Sequence, residues 1–435
     1  MPCLTTGIRC DAVKPTNGGA IVTTSSSSSN GNPVLRFGII GVGNAGGGVL
    51  NMMRDEPNVE VVAAADLRPQ ALEAFQRDFG GKTYDSVEGI CQDPDVDVVW
   101  IATPNHFHCP HTVMAVEHGK HIVLEKPMAL SLDEASLMVE TAEKHGVKLL
   151  SGHTRAFDPP VQTMWRIVRS GEVGAIRAMN VMSFTDWMLR PRMPEEVDVE
   201  RGGGVAFRQA PHQIDSLRFL GGGLIRSVRG TTGIWMEGRS GAPGYYSAYL
   251  EFEDGTPATI VYNAYGYFMA SELLPWEMEA GAQAEDRARV RNGINTGTWD
   301  QAQAKDAMRI ASMQGQRNAL EGGGAPSGPP RQRFQSDLGL LLVTCERGLL
   351  RQSPNGIYVY NDDGLREEPI EVKEGGGDPT IEEAYSGIVR GNPIFHDGRW
   401  GMATLEVQLG LMQSARERRE VMLEHQVPVP PGLAH

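Results

Sequence analysis

From Val34 onward, short and mainly apolar runs alternate with longer stretches whose apolar residues recur every three or four positions. "VLRFGII", "VEVVAAAD", "VDVVWIATP" and "HIVLEKP" are runs of strand length with no polar face. Such runs belong to parallel strands buried on both sides, and their spacing leaves room for crossover helices. The segment "SLDEASLMVETAEKHG" predicts one of these helices. Ser131 and Glu134 have capping-box spacing, Leu132, Ala135, Met138 and Ala142 recur at helical intervals, and Gly146 can end the helix. Further on the period changes to two. "YSAYLEFEDGTPATIVYNAYGY" contains two alternating runs joined at Asp254-Gly255, and "GIYVYNDDGL" repeats the arrangement. Both predict hairpins of a half-buried antiparallel sheet. Residues 1–33, rich in Ser, Thr, Gly and Asn, have no apolar period and predict a disordered leader. Residues 271–335, which include "GQRNALEGGGAPSGPPRQRF", break the sheet pattern and predict an inserted, partly mobile excursion. The domains expected are 34–152 and 153–425, with a tail at 426–435.

Composition narrows the function. A chain of 435 residues, 40% hydrophobic, can build two or three cores. Its formal net charge of −14 argues against nucleic acid or an anionic membrane as partner and leaves a small molecule. No apolar run reaches the roughly 18 residues of a membrane span, and no secretory layout opens the chain, so a cytoplasmic protein is expected. Cys3, Cys10, Cys91, Cys109 and Cys345 are scattered and form no CxxC pair, which predicts reduced thiols.

Candidate chemistry starts at "GVGNAG", where Gly41, Gly43 and Gly46 have GxGxxG spacing between a strand and a helix, with Asn44 and Ala45 inside the loop. Asp66 ends the next strand twenty residues beyond Gly46, where an acid that binds ribose hydroxyls belongs. The pattern predicts dinucleotide binding. Asp66 favours NAD by repelling a 2′-phosphate, while Arg68 nearby leaves NADP open. "NHFHCPH" crowds His106, His108, Cys109 and His111, but no second ligand cluster accompanies them and no metal is expected.

Taken together, "GIIGVGNAGG", "ATPNHFH", "EKPMALSLDEA", "GHTRAFDP", "GGGVAFRQAPHQID" and "WGMATLEV" resemble the glucose-fructose oxidoreductase, inositol dehydrogenase and MocA family. The resemblance implies an α/β protein with an N-terminal Rossmann domain. A C-terminal α/β domain on an open, mostly antiparallel sheet would follow, with NAD(P)-dependent hydride transfer at their junction. It implies cofactor contacts from Thr103, Pro104, Asn105, His108, Glu125 and Lys126, a cis Lys126-Pro127 bond, and a homo-oligomer of two or four copies. It also places Lys126 and His212 on the reacting hydroxyl. His212 is expected as the base, with the roles reversed if Lys126 is desolvated enough to titrate.

The family's usual pattern has an aspartate four residues before that histidine, and here Arg208 stands there. A guanidinium matches a carboxylate and cannot accept bonds from a polyol, so Arg208, with Arg155, is expected to bind an acid. This variation, with "CERGLLRQSPNGIYVY", resembles the branch that oxidises phthalate cis-4,5-dihydrodiols. A sugar, sugar-acid or polyol dehydrogenase and a non-catalytic dinucleotide sensor remain as alternatives.

Overall fold

The computed structural model describes residues 32–152, 155–273, 284–305, 339–370 and 378–430. Most of the expected leader, the "GQRNALEGGGAPSGPPRQRF" stretch and the last five residues of the tail lie outside the described residues.

The first sheet contains β1 (Leu35–Ile40), β2 (Val59–Ala65), β3 (Lys82–Tyr84), β4 (Val98–Ile101), β5 (His121–Leu124) and β6 (Leu149–Ser151). All pairings are parallel and the order is β3-β2-β1-β4-β5-β6. The order reverses between β1 and β4, which opens a crevice beyond their carboxyl ends. Every residue of β4 is buried, as its unbroken apolar run requires. The helix Leu132–His145 starts at Ser131, whose hydroxyl accepts from the Glu134 amide at 3.2 Å, and ends at Gly146. The Glu134 carboxylate reaches back to the Leu130 amide.

The second sheet has nine strands: β7 (Ile176–Phe184), β8 (Ile225–Gly233), β9 (Tyr245–Phe252), β10 (Pro257–Asn263), β11 (Leu340–Cys345), β12 (Gly348–Gln352), β13 (Gly356–Asn361), β14 (Gly364–Pro369) and β15 (Val421–Met422). Their order is β14-β13-β12-β11-β7-β10-β9-β8-β15. Only β7 and β10 pair in parallel. Burial alternates along β10 and β11, so one face carries the core. Both expected hairpins form, β9–β10 and β13–β14.

Three expectations change. The leader ends earlier than residue 33, because the Pro33 carbonyl accepts from the Tyr385 hydroxyl at 2.9 Å. Within the excursion, helix Ala284–Asn295 is part of the second domain. It buries Ile294 and sends the Arg291 guanidinium to the Tyr265 carbonyl at 3.0 Å. The third change concerns the late helices. Helix Pro379–Val389 puts Ile381, Ala384 and Tyr385 into the same core as Leu35, Phe37 and Trp100. Helix Gly398–Glu417 then bridges the halves, with Leu405 in the first core and Leu411 in the second. An apolar stripe shows that a helix is buried but not against what.

A buried polar clamp secures this return. The His396 ring lies 3.0 Å from Glu383 and 3.6 Å from Asp215, and Asp215 accepts from the Trp400 indole at 2.7 Å. Burial pushes His396 down, but the two carboxylates outweigh it and raise the ring to about 9. Asp215 therefore serves the clamp. No helix among the described residues is long and apolar enough to cross a membrane.

Candidate active site

At the end of β1 the chain turns through Gly41 with φ +94, where a Cβ would lie 2.8 Å from the Ala102 carbonyl oxygen. A Cβ on Gly46 would lie 2.0 Å from the Gly41 carbonyl oxygen, so this residue too must be glycine. Gly43 faces open space. The helix that follows, Asn44–Met53, has no side-chain cap and no acid in its first turn. Its amide end is thus left to an anion, and the cradle fits a pyrophosphate.

Asp66 stands where a ribose acceptor was expected, but its oxygens already accept from the Val42 amide at 2.8 Å and from the Arg68 amide and guanidinium at 2.9 Å. Burial pushes this carboxyl up, and those hydrogen bonds outweigh it and hold it below the usual range. Arg68 also donates to the Val42 carbonyl at 2.9 Å, closing the pair over the glycine loop.

At the ends of β4 and β5 several expected cofactor residues are spent on this chain. The fully buried His108 ring lies 2.9 Å from both the Pro127 and the Thr103 carbonyl oxygens and joins the two loops. Burial holds it near about 4, so it is neutral and donates to one of them. The Asn105 amide donates to the Gly202 carbonyl at 2.9 Å, linking the halves. The Thr103 hydroxyl meets the His111 ring at 3.1 Å, and Pro104 leads into the short turn Asn105–Phe107. Glu125, pushed up by burial, accepts from the Trp100 indole at 3.3 Å. Lys126-Pro127 is cis.

The opposite wall comes from "GGGVAFRQAPHQID", and it is not one helix. A short helix, Val205–Arg208, ends at Gln209 with φ −121, and a second helix, Ala210–Leu220, starts with Pro211 in its first turn. In an unbroken helix the His212 amide would return to the Arg208 carbonyl. Here it donates to Gln209 at 3.1 Å. The Arg208 carbonyl is thus released to accept from Lys126 Nζ at 2.9 Å. Arg208 and His212 flank this break rather than sharing one helix face.

Lys126 keeps some exposure, yet the packed walls desolvate its ammonium and lower it to about 8. Glu125 opposes that shift, while Arg208, Arg155 and Arg192 add to it. Arg155, on the turn Arg155–Phe157, pairs with Asp158 at 3.3 Å. The structure therefore sets Lys126 against the backbone of Arg208, and places Asp66 and Arg68 at the end of β2.

Sequence reasoning missed three residues here. Arg192 lies 3.7 Å above the Trp187 ring and donates to Glu196 at 3.2 Å. Glu196 also accepts from the Met193 amide at 2.7 Å and from Lys305 at 2.9 Å, and stands 3.8 Å from Arg208. Burial pushes Glu196 up, but its donors dominate and hold it at about 2. The spacing of Arg192 and Glu196 in "RPRMPEEV" was a local signal, whereas nothing near Lys305 in the chain pointed to Glu196. Among the described residues no group of three or more His, Cys, Asp or Glu side chains is placed to hold a metal.

Residues 35–153 match the model of an oxidoreductase family with an NAD-binding Rossmann fold, and residues 161–271 match the GFO/IDH/MocA C-terminal domain. The chain is similar to 1-carboxy-3-chloro-3,4-dihydroxycyclohexa-1,5-diene dehydrogenase of Comamonas testosteroni, at 30% identity over 88% of this chain and 95% of that one. It is also similar to a crystal structure of a candidate dehydrogenase from Bordetella bronchiseptica RB50, with a TM-score of 0.72 and 35% identity over 89% of this chain and 100% of that one. The WlbA dehydrogenase of Bordetella pertussis, crystallised with NADH and UDP-GlcNAcA, shares the fold at TM-score 0.63 and 19% identity, over 90% and 98% of the two chains. Two family models in consecutive order, and a relative matched almost end to end, make this chain a member of the GFO/IDH/MocA family, an NAD-binding, NAD(P)-dependent dehydrogenase.

Proposed function

We propose that the protein oxidises a ring-borne cis-dihydrodiol carrying carboxylates, 4,5-dihydro-4,5-dihydroxyphthalate, to the aromatic diol. One observation carries this reading: the Arg208 guanidinium stops 3.8 Å from Glu196 with its buried Nε unpartnered, while its backbone carbonyl lies 2.9 Å from Lys126 Nζ. An open guanidinium beside that lysine, in a chain of net charge −14, is matched to a carboxylate. The Comamonas relative is named for a substrate that is likewise a carboxylated ring diol.

The cradle at Gly41, Gly43 and Gly46 would hold NAD, which when bound would supply the hydride acceptor. Neutral Lys126 takes the hydroxyl proton, and the Arg208 carbonyl holds its nitrogen in line at 2.9 Å. With the lysine titrating at about 8, the role first expected of His212 passes to Lys126. His212, in the first turn of its helix, is left to orient the second hydroxyl. The Arg208 side chain anchors a carboxylate. Loss of one hydride and one proton leaves a hydroxy-ketone that enolises to the aromatic product, so aromaticity supplies the driving force.

The test is a screen following absorbance at 340 nm with NAD and with NADP, offering cis-dihydrodiols of the phthalates and benzoate, uronates and neutral polyols. The dicarboxylate diol should give the highest kcat/KM. Faster turnover of a neutral polyol would overturn the acid reading, and faster turnover of a uronate would move the substrate class to sugar acids.

A further inference from the structure

Glu196 is a carboxylate beside the guanidinium that is read as the substrate's carboxylate anchor, so it is an internal competitor for Arg208. It does not compete fully. Its two oxygens are taken by Lys305 Nζ at 2.9 Å, the Met193 amide at 2.7 Å and Arg192 at 3.2 Å, and Arg208 is left at 3.8 Å, beyond hydrogen-bond reach. Arg208 Nε is buried without a hydrogen-bond partner. A buried donor left without an acceptor is costly unless a ligand supplies one.

Lys305 comes from the connection between β10 and β11 and is only 7% exposed. It lies 109 positions from Glu196 in the chain and has one other acceptor, the Pro191 carbonyl at 3.4 Å. The charges facing Glu196 are Arg192, Arg208, Lys305 and the buried Arg239, while Glu195 acts on Arg208 from the same turn as Glu196. Within this group Lys305 makes the shortest ion pair to Glu196, on Oε2, while Arg192 at 3.2 Å and Arg208 at 3.8 Å face Oε1.

We propose that Lys305 is a specificity-determining residue: by holding Glu196 it keeps the Arg208 guanidinium open for the substrate's carboxylate. The inserted connection thereby sets affinity for acids without touching the reacting atoms. This proposal rests on the carboxylate role given to Arg208 above.

The test is titration of the NAD-loaded protein with phthalate, a non-reacting dianion, by calorimetry. Lys305→Met should release Glu196 onto Arg208 and weaken phthalate binding on the order of tenfold, with NAD affinity unchanged. Lys305→Arg should stay near wild type. Glu196→Gln removes the competitor and should tighten phthalate binding, and Glu196→Gln combined with Lys305→Met should bind at least as tightly as wild type. Opposite signs for the two single changes are what a merely structural pair would not give. If Lys305→Met does not fold, the sign of Glu196→Gln decides. Unchanged binding in Lys305→Met, or weakening by Glu196→Gln, overturns the proposal. Arg208→Ala in the same assay separates the two readings. Wild-type phthalate affinity there would bring down the carboxylate role itself, whereas a loss there with none in Lys305→Met would bring down only the role of Lys305.

Discussion

Asp66 and Arg68 close on each other with guanidinium bonds of 2.9 Å, whereas Glu196 and Arg208 stop at 3.8 Å. The first pair is two positions apart beside a strand end, and among the described residues Asp66 has no other ion pair. The second pair is kept apart by Arg192 and by Lys305, which arrives from 109 positions away. An arginine beside a carboxylate is therefore either satisfied or available, and the remaining neighbours decide which. On the cofactor side the pair is closed. On the side proposed for the substrate it is open, and Lys126 lies against the backbone of the open arginine.

The strongest way to break this contrast is to remove the group that the open side positions. Lys126→Met should lower turnover by at least about 100-fold with NAD binding intact, the usual worth of acid-base help. Steady-state kinetics beside an NAD titration will show it, and near-wild-type turnover would take Lys126 out of the chemistry.

Next in size, Arg208→Ala should reduce kcat/KM for the acid by about 100-fold, as expected when one partner of a part-buried charge pair is lost. The backbone carbonyl that holds Lys126 survives this change, so kcat should fall less than kcat/KM. An equal fall in both would show that the guanidinium acts in the transition state.

The pH profile sharpens the comparison further. Lys126 is depressed from its ordinary value to about 8, and the proposed base is its neutral form. Oxidation kcat/KM should therefore rise with pH and level off above about 8. Arg208 is one of the charges that depress it, so in Arg208→Ala the rising limb should move to higher pH. A limb that stays in place would separate the two groups electrostatically.

The smallest effect belongs to the closed pair. Arg68→Ala should free Asp66 and shift the preference toward NAD over NADP by a few-fold, on the order of 1 kcal/mol or less for a pair at the rim. Comparing kcat/KM for the two cofactors measures it, and an unchanged ratio or a shift toward NADP would show that Arg68 does not set the preference by neutralising Asp66.

Much of the local structure was determined by the sequence alone. The apolar runs of β1, β2, β4 and β5, the glycine at the φ +94 turn, the capped helix Leu132–His145 and the hairpin at Gly255 all depend on neighbours within a few residues. Local sterics and hydrogen bonding dictate such features, so they can be read locally. Lys126, Arg208 and Arg155 were legible as candidates for another reason, the resemblance of the motifs around them to those of a known family.

Tertiary structure decided the rest. The break at Gln209 frees a carbonyl only because Lys126, 82 positions earlier, is there to use it. Helix Pro379–Val389 has an apolar stripe that could have met either sheet, and in the folded chain it packs on the first. Lys305 reads as one more polar residue in an irregular connection until folding sets it against Glu196. Electrostatic roles depend on distances between elements, and no pattern along a single element encodes those distances.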